Sequence, residues 1–163
     1  YKNINLFLEN NIQLIWQTGS SFYTKAYNLN NKIIKVFKFI DKMDYAYAAA
    51  DVIVSRAGAI AISELAIIKK PSILIPSPNV TADHQTKNAN KLAIKNAAIL
   101  IRDSDAENIL CKTIIDLFDN EIEQETLINN IKEFSYLNAA EKIVDIIEKL
   151  INNNETKYMK NQT

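Results

Sequence analysis

Apolar residues along this chain occur as short runs that favour strands, separated by longer stretches with helical spacing. Five runs predict strands, at residues 12–17, 32–39, 51–55, 72–75 and 97–101. In the run at 32–39, KIIKVFKF, apolar and basic residues alternate with the period of two that is typical of a strand. The run at 51–55, DVIVS, is almost entirely apolar, which indicates a strand buried in a parallel sheet.

The segments between and after these runs predict helices. They cover residues 21–27, 41–50, 59–69, 83–95, 106–119, 123–134 and 139–152. We expect Asp41 to cap the second of these helices, Thr81 or Asp83 to cap the fourth, and Pro71 to end the third. The first residues of the chain have the pattern of a helix end, and the polar residues 153–163 are expected to form a disordered tail.

This order of elements predicts one α/β domain over residues 1–152, built on a parallel sheet with helices on both faces. Ligands of such sheets bind beyond the carboxyl ends of the strands. The loops at residues 18–21, 38–42, 55–60 and 77–85 follow predicted strands, so we expect a binding site among them.

Composition changes this picture in one respect, which is charge. The chain has 163 residues, enough for a single domain, and its 19 basic residues balance 19 acidic ones. No net field attracts nucleic acid, so a ligand that carries phosphate has to be held by local geometry.

Cys111, the one cysteine, excludes an intramolecular disulfide and is expected in the core. Because the chain begins with Tyr1 rather than Met, we expect a piece of a longer protein.

The residues present also exclude several common chemistries. With only Gly19 and Gly58, the chain has neither a P-loop nor a GxGxxG loop for phosphate groups. The sequence shows no cluster of metal-ligating residues and no evident set of nucleophile, histidine and acid. No apolar run approaches the ~18 residues of a helix that spans a membrane.

The stretch from 51 to 76, DVIVSRAGAIAISELAIIKKPSILIP, has the most informative pattern. A predicted strand ends at Ser55, turns through Arg56 and Gly58, and enters a helix at Ala59. The N–H groups and the dipole at such a helix start attract anions, Gly58 allows a phosphate close to the backbone, and Arg56 can add positive charge. The alternative is an ordinary strand-to-helix turn that needs one glycine.

Glu64 lies about one helical turn beyond this anion site. A carboxylate there can accept hydrogen bonds from the vicinal diol of a ribose. The alternative is an acid near the positive end of a helix, which stabilises the helix by only ~0.3–1 kcal/mol.

A further group of polar residues begins the fourth helix. Gln85 and Asn88 are three residues apart, so they face the same side, and their amides suit sugar hydroxyls. The alternative is a solvated first turn. His84, the one histidine, is at such a position more often a surface or capping residue than a catalyst.

Together these segments resemble the C-terminal domain of the MurG family, the peptidoglycan N-acetylglucosaminyltransferases of glycosyltransferase family 28. The resemblance is carried by FIDKM-x-x-AYAAADVIVSRAGA, ISEL, PSILIP and DHQTKNA, between residues 39 and 89, and it extends over nearly all of the chain. It implies a Rossmann-like donor domain of the GT-B type. The family transfers GlcNAc from UDP-GlcNAc to lipid I to form lipid II, without a metal or another cofactor.

The resemblance also implies roles for particular residues. The backbone of Ile40 would contact uracil, the helix start from Ala59 would receive the diphosphate, Glu64 would bind the ribose and Gln85 the sugar. Where some relatives have a second glutamine this chain has His84, so the resemblance does not carry that contact over. The residues implied to bind UDP-GlcNAc are Ile40, Arg56, Gly58, Ala59, Ile60, Ala61, Ser63, Glu64, Gln85 and Asn88. Ile60 and Ala61 replace residues that are often polar or bulkier, which leaves only their backbone contacts.

The resemblance further implies that the acceptor domain, the general base and a GGS-type phosphate loop lie outside this chain. We therefore expect no catalytic residue here and no activity from this piece alone. The whole enzyme would act in cell-wall biogenesis, in cell shape and division, bound peripherally to the cytoplasmic face of the inner membrane, with lipid I held by the missing domain. Three alternatives remain: a UDP-sugar transferase for another acceptor, a separately encoded donor-binding subunit, or a structural domain with an inactive site.

Overall fold

The fold is an alternation of short strands and helices. A computed structural model of the protein describes residues 3–79 and 83–160, and describes side chains as far as residue 151. The elements in chain order are α1 Asn5–Glu9, β1 Leu14–Gln17, α2 Gly19–Tyr27, β2 Ile34–Phe37, α3 Met43–Ala49, β3 Ile53–Ser55, α4 Ala59–Ile68, β4 Ser72–Leu74, α5 His84–Ile94, β5 Ile99–Leu100, α6 Asp103–Phe118, α7 Glu121–Ile131 with a 3₁₀ turn at Lys132–Phe134, and α8 Ala139–Lys160.

All strand pairs among the described residues are parallel, which confirms the predicted fold class. β1 pairs with β2, and β3, β4 and β5 form a second sheet in that order. Each strand is followed by a helix, so the carboxyl ends of the strands lead directly into helix starts.

Helices lie on both faces of the three-stranded sheet. Successive side chains of a strand point to opposite sides, so neighbouring residues pack against different helices. Leu74 in the central strand packs on one side against residues of α4, α5 and α7. Its neighbour Ile73 packs on the other side against residues of α6 and α7. Both side chains are fully buried. Burial on both faces is the physical reason that Ile73 and Leu74 follow each other in the central strand with no polar residue between them.

The pair β1–β2 has one buried face, which accounts for its alternating sequence. Ile34 and Val36 are buried, and Lys35 and Phe37 between and after them are exposed. The buried residues pack with α1, α2 and one side of α6, where Cys111 is partly buried and burial raises the pKa of its thiol. Helix α6 contributes Ile114 to this core and to that of the other sheet, so it joins the two.

Several predicted helix ends differ from the structure. The prediction that Asp41 caps a helix is wrong: the N-cap of α3 is Lys42, one residue later, and it forms no side-chain capping bond. Asp83 is the N-cap of α5, in the left-handed region with φ of 53°, and its side chain forms no capping bond. Thr81, the other predicted cap, lies outside the described residues.

The ends of α4 and α8 also differ. Helix α4 ends one residue early, at Ile68, because Lys69 adopts a left-handed conformation with φ of 54° ahead of Pro71. Helix α8 continues to Lys160, past the predicted end at residue 152. Residues 161–163 of the predicted tail lie outside the description. Within residues 3–79 and 83–160, no helix combines the length and the apolarity needed to cross a membrane.

Candidate nucleotide-binding site

The start of α4 presents a set of free backbone donors at the carboxyl end of β3. Gly58 is the N-cap, with φ of −66° and ψ of 148°, and the first bond inside the helix runs from Ile62 N–H to its carbonyl oxygen. The N–H groups of Ala59, Ile60 and Ala61 therefore have no partner within the helix. Among the residues that the structure describes, no side chain caps this helix start. Its first turn contains no acid, so no carboxylate of that turn offsets the positive end of the dipole.

Gly58 is not required by the backbone or by its neighbours. Its φ is one that any residue adopts, and a Cβ built at this position meets nothing within 4 Å. Ile60 beside it is 78% exposed, and Ala59 is exposed as well. The turn thus faces open space, and an anion can approach its amides without displacing a side chain.

Arg56 does not stand free beside this turn. Its guanidinium donates to the carbonyl oxygens of Ile75 and Pro76, each at 3.3 Å, and forms an ion pair with the carboxylate of Asp103 at the start of α6. The positive charge that the sequence predicted near the anion site is therefore balanced by Asp103. The side chain joins the turn before α4 to the loop after β4.

Glu64 lies on the exposed surface of α4, about one turn beyond the free amides. Its Oε2 accepts a hydrogen bond of 2.8 Å from the hydroxyl of Tyr47 on α3, and its Oε1 has no partner among the described residues. Burial of the phenol, together with this bond to Glu64 and the charge of its carboxylate, raises the pKa of Tyr47 to about 12. Oε2 of the carboxylate is thus bonded to Tyr47, and Oε1 remains available to accept a hydrogen bond from a ligand.

The amides predicted on α5 hold loops together. Gln85 Oε1 accepts from the backbone N–H of Ser77 at 2.9 Å, which ties the loop after β4 to the helix. Asn88 Nδ2 donates to the carbonyl oxygen of Ala57 at 3.4 Å, beside the N-cap of α4. His84 is exposed at the first position of α5. The structure therefore brings Asn88 to the turn before α4 and Gln85 to the loop after β4, each as a structural support.

Ser63 uses its hydroxyl within α4. The group donates to the carbonyl oxygen of Ala59, one turn earlier, at 3.0 Å. Such a bond leaves the oxygen lone pairs of Ser63 available but commits its proton to the helix.

The loop after β2 is fixed by the end of β1. Ile40 is partly buried, and its backbone N–H donates to Gln17 Oε1 at 2.8 Å. Thr18 adds two bonds to the carbonyl oxygen of Phe37, from its N–H and from its hydroxyl. Ile40 therefore lies on a turn with a defined conformation. Its N–H is bonded to Gln17, so its carbonyl oxygen is the backbone group left to contact a ligand.

A cavity of about 650 Å³ lies elsewhere, between the end of α5, β5 and α7. None of its lining residues belongs to the candidate site, so it has no part in the chemistry above. Within the described ranges, 3–79 and 83–160, no three His, Cys, Asp or Glu residues are grouped in a way that could hold a metal ion.

Comparison with known proteins identifies the family of the domain. The profile of the glycosyltransferase family 28 C-terminal domain matches residues 2–150. The chain belongs to this family.

Relatives of the family 28 domain carry one function in their names. The chain is 46% identical to a protein of Cytophaga hutchinsonii over 93% of its own length, and 43% identical to one of Flavobacterium psychrophilum over 92%. Each is named UDP-N-acetylglucosamine--N-acetylmuramyl-(pentapeptide) pyrophosphoryl-undecaprenol N-acetylglucosamine transferase. The chain spans only 43% and 41% of these two relatives, so it corresponds to less than half of such a protein.

A solved structure shows the same fold. The family 28 domain is similar to the crystal structure of MurG from Acinetobacter baumannii, with a TM-score of 0.71 and 28% sequence identity. The similarity covers 82% of this chain and 40% of that one. It confirms the Rossmann-like fold that the resemblance implied.

Three contributors to the site went unnoticed in the sequence. Tyr47, Gln17 and Asp103 act on Glu64, Ile40 and Arg56 across separations of 17, 23 and 47 residues. Local spacing carries no signal of such contacts. The one available hint was position, because Gln17 ends a strand and Asp103 follows one.

Proposed function

We propose that this family 28 domain binds UDP-GlcNAc for an inverting glycosyltransferase that adds GlcNAc to lipid I and so forms lipid II. Support comes from relatives at 43–46% identity whose names state this donor and a pyrophosphoryl-undecaprenol acceptor. The chain spans about two fifths of those relatives, so the acceptor site and the general base belong in our proposal to the rest of the protein.

One observation carries the proposal: the open turn at Gly58 lies next to a carboxylate with a free oxygen on the same helix. Glu64 is six residues after Gly58, about 9 Å along the helix axis at 1.5 Å per residue. A diphosphate on the first-turn amides would extend its nucleoside along α4 toward Glu64, whose Oε1 would accept a ribose hydroxyl.

The other site residues then have defined roles. The carbonyl of Ile40 would accept the N3–H of uracil, since its N–H is bonded to Gln17. Gln85 keeps its Nε2 for the sugar, because only its Oε1 is used in the bond to Ser77. Amides fixed at the diphosphate stabilise the charge that develops on departing UDP, and they need no reorganisation to do so.

The proposed acceptor is a lipid, so the whole protein would work at a membrane surface. We place it on the cytoplasmic side, where UDP-GlcNAc is available, with membrane contact made by the part that this chain does not contain.

Titration of the chain with UDP and with UDP-GlcNAc by calorimetry, paired with amide chemical shifts, tests the proposal. We expect binding with shifts at residues 58–64, and a loss of about ten-fold or more in affinity for Glu64→Ala, since a hydrogen bond to a charged group contributes ~1.5–3 kcal/mol. Glu125→Ala, an exposed carboxylate on α7, is the matched control and should bind normally. Equal affinity of Glu64→Ala and the unaltered chain would exclude the assigned site.

A further inference from the structure

Tyr47 connects α3 to α4 through a contact that the sequence did not predict. Its ring packs against the buried cluster that contains Leu65 and Ala66 of α4, and its hydroxyl reaches the surface to donate to Glu64 Oε2 at 2.8 Å. The ring is thus partly buried against the core, whereas the carboxylate that it contacts is exposed. A donor whose ring is packed against the core therefore holds an acceptor that is exposed to solvent.

The support has a physical consequence for Glu64. An exposed glutamate samples several rotamers, and a ligand that needs one of them must order the side chain as it binds. A hydrogen bond from a ring already packed in place supplies that order before the ligand arrives. It also uses one carboxylate oxygen and leaves Oε1 to accept from outside.

The donor keeps its proton over a wide pH range. Because burial and the neighbouring carboxylate raise the pKa of Tyr47 to about 12, the phenol is neutral and donates wherever the protein is folded near neutral pH. The interaction is therefore a constant feature of the site and does not act as a switch.

Resting on the function proposed above, we propose that Tyr47 is a positioning residue that holds the Glu64 carboxylate in the orientation that receives the ribose hydroxyls. The helix that carries it, α3, begins three residues after Ile40. Tyr47 thereby links α3, the helix after the loop that carries Ile40, to the carboxylate that in our proposal binds the ribose.

Tyr47→Phe isolates this role, because it retains the ring that packs against the core and removes only the hydroxyl. We expect affinity for UDP to fall about three- to ten-fold, the cost of ordering one long side chain on binding. The melting temperature should change little, since the lost bond is exposed to solvent. Tyr45→Phe, on the same helix and 66% exposed, is the matched control and should bind UDP normally.

Two readouts separate positioning from a general structural effect. In a double-mutant cycle, Tyr47→Phe should weaken UDP binding in the unaltered chain and have no further effect in Glu64→Ala. The preference for UDP over deoxyuridine diphosphate should also shrink in Tyr47→Phe, because the ribose hydroxyl is the group that the carboxylate recognises.

The outcomes distinguish this inference from the proposed function. If Glu64→Ala weakens UDP binding but Tyr47→Phe does not, the positioning role is excluded and the function stands. If the two substitutions weaken binding additively, Tyr47 acts independently of Glu64 and the inference is again wrong. If the unaltered chain binds no UDP, the proposed function fails first and takes the role of Tyr47 with it.

Discussion

Substitution of Gly58 by alanine separates what the fold needs from what a ligand needs. The φ and ψ of Gly58 suit alanine, and the added Cβ meets no atom within 4 Å. Alanine is a poorer N-cap than glycine, but it lowers the entropy of the unfolded chain by ~0.4–1 kcal/mol, and the two effects nearly cancel. We expect the free energy of unfolding to change by less than about 0.5 kcal/mol, or about 2 °C in melting temperature.

Binding should respond very differently to the same methyl group. It would occupy the space through which a phosphate reaches the N–H groups at the start of α4. Loss of one such charge-assisted hydrogen bond, at ~1.5–3 kcal/mol, lowers affinity for UDP about ten-fold or more. Calorimetric titration with UDP and a thermal melt on the same sample measure both quantities.

Gly19→Ala provides the contrasting control. Gly19 has φ of +70°, a conformation that costs other residues ~1–2 kcal/mol, so this variant should melt about 2–8 °C lower. We thus expect Gly58→Ala to weaken UDP binding with little change in stability, and Gly19→Ala to lower stability. If Gly58→Ala binds UDP as tightly as the unaltered chain while its melting temperature is unchanged, the diphosphate does not lie at this turn.

Three further results follow from described contacts. The difference in tyrosinate absorbance between the unaltered chain and Tyr47→Phe should titrate near pH 12, and Glu64→Gln should lower this pKa only partly, because burial is the larger cause. The stability that the neutral phenol contributes is present below pH 10 and is lost as pH rises through about 12, which a series of alkaline melts would show. Gln17→Leu keeps the side-chain size but removes the acceptor of Ile40 N–H, so it should weaken UDP binding several-fold, and an unaltered affinity would exclude a role for this turn. Leu74→Ala in the fully buried central strand should cost ~2–5 kcal/mol in denaturant unfolding, and a cost far below this would contradict the assigned core.

The strands and the turn at α4 were predictable because their causes are local. An apolar run that ends in Ser55, a glycine two residues before a helical stretch, and the alternation at 32–39 each report burial or backbone geometry within a few residues. For the same reason Glu64 could be placed one turn from the helix start by counting along α4. The family resemblance then supplied the ligand that we propose for this geometry.

What local pattern could not supply is the partner of each polar side chain. Arg56 looked like a free cation, but its guanidinium is taken by Asp103 and by carbonyl oxygens beyond β4, which only the folded sheet brings near. Gln85 looked like a sugar ligand, and the structure shows that half of its amide supports a loop. The division of five strands into two sheets also escaped prediction, since strands of two to four residues carry little information on pairing.

The pairing of Arg56 with Asp103 has a consequence for how an anion is captured. Opposite charges held in contact cancel beyond a short distance, and the whole chain has a formal net charge of +0. At the proposed site little long-range attraction would therefore draw a nucleotide in, and binding would depend on peptide dipoles that act only at close range. In the proposed site, recognition of a diphosphate would therefore rest on its fit to these dipoles, and affinity would depend only weakly on ionic strength.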